Sequence, residues 1–447
     1  MRAGLLSEIG RRAYDERVRE RDRKFGMAMG NITVTTMDNG LRIATDRIDT
    51  VETVSLGCWV GVGTRHEPQD VSGVAHLCEH MMFKGTERRS ALAITKDIER
   101  VGGQINAFTT REMTAYYVRM LADDAPLGLD VISDMLLHSR FDDAEIDNAR
   151  TVVLQEIAYA ADMPDNAIFD HFHAAAYPDQ GLGRAVLGSA ASVTDIGRLD
   201  IVDYVNRRYV PSNMVLVAAG RIEHQQMVDL AGSLFDGLPS GTKAISEPTR
   251  YRGGDIRNAR DLEQLHLMLG FNNVSLHDPD FYAYSVLATL LGGGMSSRLF
   301  QEVREKRGLV YSISSFLINY LDGGLFGIHA STTTNQVQEL IPVLCHEIGR
   351  LAQDIEEDEL VSARTLIKAS MLMALEDTMS RCHHLAQQLL VYGRPIPTQE
   401  WIDKFNAVDL DAVKAASCAL GRSALTVAAI GPMNNMHAYD AIAARFQ

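Results

Sequence analysis

Cysteine is sparse: five in 447 residues, an odd number without regular spacing, which gives no disulfide framework and suits a reducing compartment. Long hydrophobic runs are absent too. No apolar stretch approaches the roughly 20 residues that span a bilayer, so no membrane span is expected. A basic excess is missing: 43 Lys and Arg stand against 58 Asp and Glu, a net charge of −15, which argues against a nucleic-acid partner and favours cationic ones. A secretory signal is lacking as well. Arg2, Arg11, Arg12, Arg17, Arg19, Arg21 and Arg23 suggest a transit peptide, but Glu8, Asp15, Glu16, Glu20 and Asp22 interleave with them. Residues 1–29 therefore read as a mixed-charge extension, with Met27 or Met29 as an alternative start. Cytoplasmic residence is expected, with an organellar matrix as the alternative.

What is present is an ordinary globular composition, 46% hydrophobic and 23% charged. The length is roughly three times the commonest domain size, so two domains are the prior. Strand patterns run from Ile32 to Thr36, Leu41 to Asp46 and Val54 to Val62, and a helix capped by Ser72 is expected to run to about Phe83. A helix from Ala91 to Val101 follows, then a hairpin pairing Gln104–Thr109 with Met113–Met120, then long helices near 125–139 and 144–161. The second half repeats that order: a strand at Leu265–Phe271, helices at 280–291 and 300–306, a hairpin around Asp322-Gly323-Gly324, and helices from about Asn335 and Glu357. The repetition predicts an α+β fold of two homologous units, each a mostly antiparallel sheet flanked by helices. The units are placed at 30–235 and 256–447, joined by a Gly-, Pro-, Ser- and Thr-rich linker at 236–255.

His76-Leu77-Cys78-Glu79-His80 carries chemistry. At about 100° per residue, His76, Glu79 and His80 share one face of a helix. Two neutral imidazoles one turn apart can ligate a single Zn²⁺, and the carboxylate between them can hold and deprotonate a water there. Cys78 points elsewhere and reads as a small buried residue. A catalytic zinc needs a third protein ligand. Glu156, a lone carboxylate ending the apolar run Val152 to Leu154, is a candidate, because a buried carboxylate is costly unless paired or metal-bound.

On these residues the chain resembles the inverted-zincin metallopeptidases of the pitrilysin/insulinase family, above all the β-type subunit of the mitochondrial processing peptidase and its bacterial relatives. The resemblance covers nearly everything from about Asn31 onward. His76 to Thr86, HLCEHMMFKGT, matches the family motif, and 75 residues separate His80 from Glu156, where the family's third ligand lies. It implies that His76, His80 and Glu156 hold one Zn²⁺ per chain and that Glu79 is the general base. Gly103 to Thr109 resembles the edge strand on which substrate docks, with Asn106, Ala107 and Phe108 as its substrate-binding residues. Arg298 to Phe300 and Arg304 through Tyr311 resemble the Arg/Tyr signature, which implies that Arg304 and Tyr311 hold the substrate carbonyl and steady the oxyanion.

The counterpart of the zinc helix in the second half, Tyr284 to Leu291, offers no metal ligand, so that unit is expected to be structural and substrate-binding only. The triple glycine 292–294 lacks the Lys-Ser/Thr of a phosphate loop. His171 and His173, and the pair His383-His384, have no evident third ligand. Two departures stand out: Ala149 replaces a glutamate that many members carry seven residues before the third ligand, and Asn166 replaces an acid ten residues after it. Asp170, four residues further on, keeps an acid that the family associates with a substrate arginine. The activity implied is a zinc endopeptidase acting on unfolded, basic or presequence-like peptides inside a chamber of four units. This chain supplies two of them, so a homodimer or a heterodimer with a homologous subunit is implied. The alternatives are a non-catalytic scaffold subunit and a metal-dependent hydrolase of small molecules.

Overall fold

The computed structural model describes residues 31–238 and 240–446, and the extension assigned to 1–29 lies outside them. Strands β1 (Asn31–Thr36), β2 (Arg42–Arg47), β3 (Thr53–Val60), β4 (Gln104–Thr109), β5 (Thr114–Leu121) and β6 (Met214–Gly220) form one sheet in the order β1-β2-β6-β3-β5-β4. Strands β7 (Gly254–Ala259), β8 (Leu265–Asn273), β9 (Val310–Asn319), β10 (Gly324–Thr332) and β11 (Thr426–Gly431) form another in the order β7-β11-β8-β10-β9. Without β1, the two orders are the same permutation of chain order, and the β2–β6 and β7–β11 pairs are parallel while the others are antiparallel. The expected α+β fold of two like units is therefore what the chain adopts.

Five helices position the chemistry: α1 (Val74–Met82), α2 (Asp143–Asp162), α3 (Pro164–Ala176), α4 (Phe281–Gly292) and α5 (Thr378–Tyr392). Both faces of each sheet are covered, which is why β3, β6, β8 and β11 read as nearly continuous apolar runs. In β3, Val54, Leu56, Cys58 and Val60 face the core that holds α1, whereas Trp59 faces the other way. That outer face is covered by α5, through Cys382, Leu385, Ala386 and Leu389. Helix α5 belongs to the second half of the chain. Reciprocally, α3 of the first half covers the second sheet, packing Ile168, Phe172 and Ala176 on Met268, Ala428 and Ile430. Gly270 makes room for that docking, since a Cβ there would sit 2.2 Å from the Phe172 ring. Each exchanged helix is the third long helix after its unit's hairpin.

Polar contacts fix the exchange. Ser55 and Thr378 share a hydroxyl hydrogen bond of 2.8 Å, and Arg381 pairs with Asp46 at 2.6 Å. On the other side, Tyr177 donates to Gly324 O at 2.9 Å. Arg65, its side chain 3% exposed, joins the halves by binding Asp322 through both terminal nitrogens at 2.7 and 2.8 Å, and it also binds Glu112 and Thr249. Residues 240–253 of the expected linker carry no helix or strand, but its last two residues open β7. All five cysteines are free, and Cys78 is buried as expected.

Candidate metal centre

Helix α1 begins differently from the sequence expectation. Its first residue follows Gly73 at φ 97°, so Ser72 is not the cap. The carboxylate of Glu67 takes that place, accepting from Gly73 N at 2.9 Å and Ala75 N at 2.8 Å, where it also complements the helix dipole. Glycine is required because a side chain at this left-handed position is strained and its Cβ would meet Leu187 O at 2.9 Å. The buried carboxylate holds the zinc-motif helix at a fixed depth; burial, against those two hydrogen bonds, pushes Glu67 up to about 7.

One turn apart on α1, the His76 and His80 rings lie 4.7 Å apart at 71°. Glu156 reaches them from α2: its Oε2 lies 3.6 Å from His76 Nε2 and 3.4 Å from His80 Nε2. A four-coordinate zinc with bonds of about 2.0–2.1 Å spaces its ligand atoms about 3.3 Å apart, so the three donors fit that ion. Burial and then the neighbouring His80 lower His76 to about 4, which keeps its imidazole in the neutral, ligating form, and burial lowers His80 as well. Glu156 is less buried than the sequence suggested, with 40% of its side chain exposed. It lies on one helix face with Val152 and Tyr159, exposed apolar side chains one turn to either side. Ala149, one of the two departures noted in the sequence, is fully buried in the core.

Glu79 is half-buried beside this group. Burial pushes its carboxyl up to about 7, against the Thr109 hydrogen bond and with help from the Glu156 charge. Thr109 Oγ1 donates to Glu79 Oε2 at 2.6 Å. That hydroxyl was missed in the sequence; the signal was the two-residue period of β4, which puts Ile105, Ala107 and Thr109 on the α1 side. Among the described residues β4 pairs with β5 alone and stands at the edge of the sheet. On that strand, Asn106 is exposed and its Oδ1 accepts from Ala107 N at 2.9 Å. Phe108 faces away from α1, against His383 at 5.4 Å and Tyr117 at 6.0 Å, in the wall of a cleft of about 450 Å³.

The remaining predicted residues are not brought to this group within one chain. Arg304 lies in a π-wound turn, Phe300–Glu305, rather than in an ordinary helix, with its guanidinium 4.6 Å from the Phe300 ring and 6.0 Å from the Tyr311 ring. Tyr311 is 75% exposed on β9, the edge strand of the second sheet. Asp170 is half-exposed and already paired with Arg111 at 2.9 Å, and Asn166 is exposed. His173 is occupied by Phe169 O and the Tyr320 hydroxyl, in keeping with its being no ligand.

Two histidines from one helix and a glutamate from a second bring together donors that could hold a metal ion, beside a half-buried carboxylate tethered to a sheet edge. Two family models match the chain: that for insulinase (peptidase family M16) matches residues 42–190, and that for the peptidase M16 inactive domain matches residues 195–367. The chain is 35% identical over 423 residues to the probable mitochondrial-processing peptidase subunit beta of Arabidopsis thaliana, covering 91% of this chain and 80% of that one. It is 33% identical over 403 residues to an uncharacterized zinc protease of Rickettsia felis, covering 90% and 98%. A protease from Helicobacter pylori shares the fold, with a TM-score of 0.84 at 20% identity over 90% of this chain and 100% of that one. The chain belongs to peptidase family M16, and its homologues include zinc proteases. Among the described residues, no helix is long and apolar enough to cross a membrane.

Proposed function

We propose that the protein is a zinc-dependent endopeptidase that cleaves unfolded, basic peptides laid along β4. The observation that carries this reading is the Thr109–Glu79 hydrogen bond, because it ties the edge strand to a half-buried carboxylate beside His76, His80 and Glu156. A peptide adding to the edge of β4 exchanges backbone hydrogen bonds with it, which gives affinity with little sequence choice. Asn106 must first release Ala107 N, freeing that donor for a substrate carbonyl and its own amide for a second one. His76, His80 and Glu156 would hold Zn²⁺, which supplies Lewis-acid polarisation and a more acidic water. Glu79 takes the proton of the attacking water and returns it to the leaving amine. Its raised pKa suits that shuttle near neutral pH.

Arg304 and Tyr311 are positioned for a second subunit. Tyr311, exposed on the matching edge strand of the second sheet, and the partly exposed Arg304 in the turn before that strand would meet a substrate carbonyl across an interface, which supports a dimeric chamber. The apolar side chains of Val152 and Tyr159 around Glu156 present a surface such a chamber would cover. For a substrate arginine, Asp170 offers a half-exposed carboxylate, in competition with Arg111. The test is cleavage of a quenched basic peptide containing arginine by zinc-loaded protein, beside its Glu79→Gln variant. Cleavage by the wild type and a loss of about 10²–10⁴-fold in the variant, with zinc retained, is the expected result. Equal cleavage by both overturns the base assignment, and zinc binding without cleavage by either favours the scaffold reading.

A further inference from the structure

A second group of metal-type donors lies where α3 of the first half meets the second sheet, in whose unit the sequence led us to expect no metal site. Asp165 stands in the first turn of α3, His266 on β8 and His329 on β10. The register pairs His266 with Ser331 and Met268 with His329, so the two histidines are diagonal neighbours on one face of the second sheet. That face is the one α3 covers, because Met268 packs with Ile168 and Phe172. The imidazoles lie 6.0 Å apart and nearly parallel, at 18°. One donor atom from each of the three residues lies within 4.8 Å of the others, the same criterion the His76, His80 and Glu156 group meets.

The hydrogen bonding points to a missing occupant. His266 is 7% exposed, and its Nδ1 lies 3.0 Å from Asp165 Oδ1, yet this approach lacks hydrogen-bond geometry and leaves Nδ1 without a partner among the described residues. His329 Nε2 is also buried without a partner. A carboxylate oxygen beside a nitrogen, but off the direction of its lone pair, is how two ligands of one ion sit; donor and acceptor would align. A simple His266–Asp165 ion pair would leave the His329 nitrogen unexplained. The oxygen of Asp165 comes from the solvent side, its side chain 65% exposed, which leaves an entry path for an ion.

We propose that Asp165, His266 and His329 form a second metal site, which takes a borderline divalent cation such as Zn²⁺. Two imidazoles and one carboxylate are the donor set for such ions, whereas Ca²⁺ and Mg²⁺ prefer oxygen throughout. The site is structural in its placement. Only Met163 separates α2, which carries Glu156, from α3, so an ion here pins the far end of that helix pair to the second sheet.

The experiment counts zinc on the full-length chain after stripping, reloading and gel filtration. About two ions per chain are expected for the wild type and about one for His76→Ala/His80→Ala. In that double variant, where the first site is gone, added Zn²⁺ should still raise the Tm. Asp165→Asn, at an exposed position that leaves the core untouched, should remove that shift and weaken the remaining site by on the order of tenfold or more. A single ion in the wild type, or no zinc and no Tm response in His76→Ala/His80→Ala, would overturn the proposal. So would a response that Asp165→Asn and His329→Ala both leave intact.

Discussion

Replacing Thr109 with valine removes one hydroxyl and little volume, so it isolates the link between β4 and Glu79, the proposed base. The 2.6 Å hydrogen bond to Glu79 favours the ionised carboxylate and holds the pKa below where burial alone would put it. A hydrogen bond to a charged group contributes about 1.5–3 kcal/mol, and at 1.36 kcal/mol per pH unit its loss raises the Glu79 pKa by roughly one to two units. Glu79 acts as a base only when deprotonated. The acid limb of the pH dependence of kcat/KM should therefore move to higher pH by that amount, while rates on the alkaline plateau change little. A bound cation lowers the pKa in wild type and variant alike, so the sign does not depend on it. The assay is kcat/KM for a quenched peptide from pH 5 to 9, with zinc content measured on each variant and Thr109→Ser as the rescue. Superimposable profiles for wild type and Thr109→Val, at equal zinc content, would refute the role given to this hydroxyl.

Asp170→Ala should lower the cleavage ratio of arginine-containing to arginine-free peptides, and Arg111→Gln should raise it. Each change should be about two- to five-fold, given the exposure of the pair, and an unchanged ratio in both would remove Asp170 from specificity. Arg65→Met leaves Glu112 and Asp322 without their cation between the halves, and urea unfolding should show a loss of about 3–5 kcal/mol. Gly270→Ala drives a methyl into the Phe172 ring and should destabilise by about 1–3 kcal/mol in the same assay; a neutral result would mean that α3 can shift on the second sheet.

The shared face of His76, Glu79 and His80 and the order of strands and helices were legible because they rest on local periodicity, and that order repeats along the chain; Glu156 was named on a burial argument that its 40% exposure weakens. The start of α1 was not: Ser72 has the residue type of a cap, but Gly73 turns left-handed and hands that role to Glu67, six residues upstream. The turn around Arg304 has helical spacing, and its wider π winding leaves no trace in that pattern. The exchange of α3 and α5 was hidden for a similar reason. An amphipathic helix shows that it must be covered, not by which sheet. Likewise His266 and His329 lie on separate strands 63 residues apart, and only the β8–β10 register makes them neighbours.

The crossing of α3 and α5 makes the two halves inseparable in a specific sense. Each sheet has one face closed by the other half's third helix, which is the connectivity of a helix-swapped symmetric dimer whose subunits have been spliced into one chain. Cutting the loop at 240–253 would release two pieces, each with an apolar sheet face laid bare, around Trp59 and Val217 in one and Met268 and Ile430 in the other. Neither piece is a stand-alone domain, yet the pair should reassemble when made together. Splicing also lifts the demand for symmetry: if only one copy of the helix at this position carries the histidines, α4 is free to be mostly apolar and serve as scaffold.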